Sequence, residues 1–154
     1  MRTTTCLNTP CILTVLSLTI KTELMKEYLN NDKLRIYTSV NYPFLIIELK
    51  GILEPEDYIQ LMQTKQVQEV IRFSGYTKVF LELKDYWSLG MEQQDWTSRE
   101  FTRLIAGSGV SHLAIGVSKH MYPGFKPFWS LYERLASVNT RYVCNHSDAV
   151  SWLK

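Results

Sequence analysis

Glu92 and Asp95 stand three residues apart at the start of an apolar-faced helical stretch, and two neighbouring carboxylates are what general acid and base work needs. The first turn of a helix also attracts acids because its free amides are partly positive, which accounts for the pair without catalysis. His112, His120 and His146 lack the H-x-x-H, H-x-x-x-H or H-E-x-x-H spacing of a metal site. His112 begins a strand and His146 precedes a helix, as loop or capping residues do. Glu82 and Asp85 fit a strand end and a turn. Cys6, Cys11 and Cys144 form no C-x-x-C pair, hence neither a zinc site nor a disulfide framework, and they suit a reducing, cytoplasmic compartment. Cys144 reads as a small buried hydrophobe. Gly107-Ser108-Gly109 follows a helix and lacks a third glycine, so it is no dinucleotide fingerprint, and no G-x-S-x-G or Walker motif occurs. No catalytic residue, metal or cofactor is assigned. An enzyme built on Glu92, Asp95 or His120 stands third among the readings.

A second group of residues suits binding. In an open α/β sheet, ligands favour the carboxyl ends of parallel strands. The loops expected there, Asp85–Met91 and Lys119–Phe128, with Trp129 just beyond, carry Tyr86, Trp87, Met91, His120, Met121, Tyr122 and Phe125. Such a rim can form an apolar pocket for a lipid-like or aromatic molecule. It can equally be packing that covers the sheet edge, the commoner use of aromatic clusters under loops.

The elements that would position these residues follow from periodicity. Leu34–Val40 alternates apolar and polar, Asn41-Tyr42-Pro43 makes a turn, and Phe44–Lys50 returns, so the first two strands are antiparallel. Pro55 suits the first turn of a helix with Glu54, Glu56 and Asp57 at its positive end. Tyr58, Leu61, Met62, Val67, Val70 and Ile71 line its face, and Gly75 follows its end. Thr77–Leu83 has Val79, Leu81 and Leu83 on one side and Phe80 on the other, as a strand in mid-sheet does. A helix bearing Trp96, Phe101, Leu104 and Ile105 leads to a strand at His112–Val117, where Gly116 signals close backbone approach. Phe128, Leu131, Tyr132 and Leu135 then mark a helix. A strand at Arg141–Cys144 and a helix at Ser147–Leu153, capped by Asn145 or Ser147, close the chain. The expected order is ββαβαβαβα, an α/β fold with a mixed sheet covered by helices.

Composition bounds the function. At 154 residues, 45% hydrophobic and 12% aromatic, the chain suits one globular domain with a real core. Its 17 basic and 15 acidic residues are scattered, which argues against a nucleic-acid surface. No apolar run is long enough for stable membrane insertion. Residues 1–24 differ from the rest: Cys11–Ile20 is a short apolar run after a single basic residue, Arg2, with no small-x-small cleavage site beyond it. They read as an N-terminal extension, either a weak signal-like segment or the product of a mis-assigned start, ahead of a domain at 25–154.

The chain resembles the SpoIIAA-like (STAS/SEC14-like) branch of the STAS superfamily, the sulfate transporter and anti-sigma factor antagonist domains. The resemblance lies in the hairpin ending Glu48-Leu49-Lys50-Gly51 and the helix opening Glu54-Pro55-Glu56-Asp57-Tyr58. It continues through Val79-Phe80-Leu81-Glu82-Leu83 with Asp85-Tyr86, Leu113-Ala114-Ile115-Gly116-Val117, and the ending Arg141-Tyr142 to Ser147–Leu153. It covers about residues 34–153. It implies a four- or five-stranded mixed sheet and a non-catalytic bacterial regulatory module that binds a protein partner, with a homodimer compatible. A small apolar ligand is the alternative. In the anti-sigma antagonists a phosphorylatable serine follows the central strand in an Asp-Ser-Ser-Gly stretch. Here the loop is Asp85-Tyr86-Trp87-Ser88-Leu89-Gly90, so Ser88 would take that place, although the Ser-Ser-Gly is missing and an ordinary turn serine explains it as well.

Overall fold

A computed structural model describes residues 25–51, 53–83, 90–119 and 122–154, the side chains of 122–127 excepted. The strands β1 (Met25–Asn30), β2 (Leu34–Ser39), β3 (Leu45–Leu49), β4 (Lys78–Glu82), β5 (His112–Gly116) and β6 (Asn139–Val143) lie side by side in chain order. β1, β2 and β3 pair antiparallel, and β3 to β6 pair parallel. The helices are α1 (Pro55–Met62), α2 (Lys65–Ser74), α3 (91–107), α4 (Tyr122–Leu135) and α5 (His146–Leu153). The mixed α/β architecture is as expected, but the sheet has six strands instead of four or five. The order is βββααβαβαβα in place of ββαβαβαβα.

Two differences account for that change. β1 is exposed or half-buried along its length, and its half-buried apolar residues, Tyr28 and Leu29, are consecutive instead of alternate, so it carries no hydrophobic period. Its ladder to β2 and the ion pair of Glu27 Oε2 with Arg35 Nε at 2.7 Å hold it instead. The single helix expected from Pro55 to Gly75 is two. Thr64 ends α1 by donating its hydroxyl to Leu61 O at 2.8 Å, and it starts α2 by accepting from Val67 N at 3.4 Å. Gly75, at φ 76°, closes α2 in the left-handed conformation that favours glycine.

Helices α1 to α4 cover one face of the sheet. Leu34, Ile36, Leu45, Ile47, Val79, Leu81, Leu113 and Ile115 pack there against Tyr58, Met62, Ile71, Phe101, Ile105 and Tyr132. On the other face Phe44, Ile46, Phe80, Ala114 and Val143 meet Ala149 and Leu153 of α5. β4 is therefore buried on both sides, between β3 and β5, as the sequence requires. α5 is pinned at both ends. Asn145 Oδ1 accepts from Asp148 N at 2.7 Å, and Lys78 Nζ donates to the carbonyls of Leu153 (2.6 Å) and Lys154 (2.8 Å), where the helix dipole is negative. No described helix is long and apolar enough to cross a membrane.

Gly116 is fixed by what lies over it. A Cβ at this position would stand 3.0 Å from Cε2 of Phe80, whose ring is held between Phe44 at 6.5 Å and His146 at 5.5 Å. Gly116→Val is expected to cost about 1–3 kcal/mol by overpacking, seen as a lower urea midpoint at unchanged slope. Wild-type stability in that variant would mean the Phe80 ring moves aside freely.

Candidate interaction surface

β4 and β5 are parallel neighbours, so the chain leaves both at the same end of the sheet and re-enters as α3 and α4 side by side. Of the expected rim, Tyr86, Trp87, Ser88 and His120 lie outside the described residues, as does Met121. Tyr122 and Phe125 are placed as backbone positions near the start of α4. Met91 opens α3 and is exposed. With Gln94, Phe128 and Tyr132 it lines a small apolar cavity of about 80 Å³. Trp129 is not part of that cavity. It is buried on another flank of α4, its ring parallel to that of Tyr142 with centroids 5.3 Å apart.

The rotation of α4 creates a surface that periodicity alone assigns to the core. Trp129 and Tyr132 point into the sheet, which leaves Phe128 51%, Leu131 46% and Leu135 37% exposed, beside Met91 at 69%. Positions i, i+3 and i+7 share one side of a helix, so these residues form a continuous apolar stripe that begins at the carboxyl end of β5. The 3.6-residue pattern gave their spacing. Which side of the helix faces the sheet was set by β6, whose Tyr142 takes Trp129 as its stacking partner.

Beneath the stripe, α3 buries an uncommon number of polar side chains: Gln93, Gln94, Thr97, Ser98 and Thr102. Its middle, Thr97–Phe101, is a π-helical turn between α-helical segments Met91–Trp96 and Thr102–Gly107. Such turns are enriched at functional positions. The hydroxyls of Thr97 and Thr102 donate back to the carbonyls of Gln93 and Ser98, one turn earlier. Thr97 Oγ1 also accepts from the buried Tyr58 hydroxyl at 2.8 Å, and Thr102 Oγ1 accepts from Ser137 N at 3.1 Å. The Tyr142 hydroxyl differs. It faces the Ser98 hydroxyl, yet neither makes a hydrogen bond of ordinary geometry, and burial pushes the Tyr142 pKa up.

The residues weighed for catalysis are dispersed. Asp95 pairs with Arg99 Nε at 2.9 Å, which raises the Arg99 pKa, and Glu92 is exposed in the first turn of α3. His112 Nδ1 lies 2.8 Å from Ser111 Oγ, with its ring edge-on to Trp152. His146 begins α5 and packs edge-on against Tyr42 and Phe80. Asn145 is the cap there, and Ser147 Oγ donates to Asn145 Oδ1 at 2.8 Å. Cys144 is half-buried instead of fully buried, because it lies just past β6 where the sheet's cover ends. Among the described residues no three His, Cys, Asp or Glu side chains converge as a metal site would need.

No protein-family model matches the chain, and no curated protein sequence matches it. Among solved structures, the NMR structure of the protein TM1081 is similar at a TM-score of 0.49 and 19% identity, covering 72% of this chain and 82% of that one.

Two expectations follow from the buried hydroxyls. Tyr58→Phe loses a good hydrogen bond and should destabilise by about 1 kcal/mol, whereas Tyr142→Phe removes a hydroxyl short of a partner and should be neutral or stabilising by up to about 1 kcal/mol. Paired urea titrations distinguish the signs. A pH dependence follows too. Burial, then the charges of Glu48 and Glu82, push the Tyr37 pKa up to about 12, and the folded chain thus holds this proton where the unfolded chain releases it. Stability contributed this way is complete below pH ~10 and declines as pH rises toward 12. The decline should be shallower in Tyr37→Phe, measured by urea unfolding across that range.

Proposed function

We propose that this chain is a non-catalytic STAS-like module of bacterial regulation that works in the cytoplasm by contacting a partner protein. One observation carries the contact reading: the apolar stripe of Phe128, Leu131 and Leu135 with Met91, exposed on the outer side of α4. Three large apolar side chains gathered on one side of α4, with a fourth beside them at the start of α3, suit a recognition surface, whereas the same number scattered singly would need no explanation. The SpoIIAA-like kinship is part of the proposal. It rests on the sequence resemblance and agrees with helices packed on a mixed sheet. The reading as an apolar-ligand site is the alternative; among the described residues its rim shows a cavity of about 80 Å³ between Met91 and Phe128, smaller than the several hundred Å³ that ligand pockets occupy.

Leu131→Asp and Phe128→Ser place polar groups on the stripe without touching the buried side of α4, so stability should change by no more than about 0.5 kcal/mol. In native mass spectrometry of protein from its own host, the wild type should retain a protein partner at fixed stoichiometry. The variants should lose it at least about tenfold in affinity, equivalent to ~1.4 kcal/mol. A retained small molecule with no protein, or a complex indifferent to both substitutions, would refute the contact reading.

A further inference from the structure

The other flank of α4 faces the open margin of the sheet. Among the described residues β6 is an edge strand, and α4 and α5, on opposite faces, overhang it to form a groove of about 540 Å³. Along β6, Asn139 N donates to Ser111 O and Val143 O accepts from Val117 N. Asn139, Arg141 and Val143 therefore direct their backbone groups inward, and by the alternation of a strand Thr140 and Tyr142 direct theirs outward into the groove. An outward amide on an edge strand is an invitation to a further strand. Here Glu133 Oε1 of α4 accepts from Tyr142 N at 2.9 Å, standing where a neighbouring strand's carbonyl would stand.

We propose that Glu133 guards this edge, and that the strand it excludes is β6 of a second copy. The charges in the groove fit that occupant. Arg141, stacked over Trp152 at 5.3 Å, belongs to none of the ion pairs among the described residues, while Asp148 is exposed on the first turn of α5. Antiparallel pairing about a two-fold axis at Tyr142 sets Arg141 opposite Val143 of the other copy, next to that copy's α5 start and its Asp148, and does so twice. A register with Arg141 opposite Arg141 would oppose like charges and is disfavoured. On the α4 face, the same pairing would bring the two Glu133 carboxylates together near the axis. Glu133 thus blocks association both by occupying the amide and by repulsion.

Sedimentation velocity on the full chain tests the guard. Glu133→Ala should associate with rising concentration toward twice the 18.0 kDa monomer mass. Glu133→Gln, which keeps an acceptor for the amide, should associate at least tenfold more weakly. Adding Thr140→Pro, which removes an outward amide, or Arg141→Glu, which reverses the complementary charge, should return Glu133→Ala to wild-type behaviour. Glu133→Ser, too short to reach the amide, repeats the test if the alanine variant folds poorly by circular dichroism. A folded Glu133→Ala or Glu133→Ser protein that associates no more than wild type would overturn the proposal. So would an association unaffected by both edge substitutions, which would place the contact elsewhere.

Discussion

Everything in this fold depends on β4 having no side that water can occupy. Val79 and Leu81 project to one face and Phe80 to the other, and all three are fully or almost fully buried. Each is worth roughly 1.5–3 kcal/mol when removed from water, so a strand of this kind cannot be satisfied by a single helical layer. Two layers must form, and parallel pairing on both sides of β4 follows, because the intervening chain has to cross over the sheet to build them. The shared exit of β4 and β5, which brings α3 and α4 together, is a consequence of that demand.

The two layers are unequal, and the inequality explains several local choices. Among the described residues four helices cover one face, but the short α5 is the helical cover of the other, over β4, β5 and β6. A helix of 8 residues has little intrinsic stability, so its position needs fixing from outside. Asn145 and Lys78 do this at its ends, and the aromatic contacts of His146 and Trp152 do it along its length. Toward β1 and β2 no described helix lies above that face. Tyr37, Arg35 and Glu27 cover it by pairing with one another, the guanidinium of Arg35 lying over the Tyr37 ring at 4.5 Å and against the Glu27 carboxylate. Tyr37 is partly desolvated there and flanked by Glu48 and Glu82, which is why its proton is held so firmly.

The parts of the fold legible in the sequence are those where burial alone decides the pattern. β4 and β5 are apolar throughout, Gly116 marks a close approach, and α5 has its cap residues in place. β1 was illegible because an exposed edge strand is held by its ladder and by side-chain pairing, neither of which leaves a hydrophobic period. The break between α1 and α2 is legible as a loss of phase: on one continuous helix Val67 and Ile71 would lie about half a turn round from Tyr58 and Met62, so a single apolar face cannot hold all four. The apolar stripe on α4 was visible as a spacing but not as a surface. Phe128, Leu131 and Leu135 look like a core face until Trp129 and Tyr132 are seen to take that role. Of the rim expected at the carboxyl ends of the strands, Met91 is exposed beside Phe128, while Trp129 turns toward β6.

α4 shows how one helix at the margin of a sheet acquires three distinct sides. A helix over the middle of a sheet has neighbours on both flanks and needs one apolar face. At the margin, one flank of α4 meets α3 and the other overlooks unpaired backbone. The core side carries Trp129 and Tyr132, with the Trp129–Tyr142 stack adding about 0.5–1.5 kcal/mol beyond the area it buries. The flank above β6 carries Glu133, a residue that would be costly in the core yet is suited to an amide that has no strand beside it. With core packing and the exposed edge both answered, the side bearing Phe128, Leu131 and Leu135 is the one that the described residues cover only in part. Its apolar character is what the proposed partner contact would account for, because a stripe left about half exposed gains most when a second apolar surface covers it.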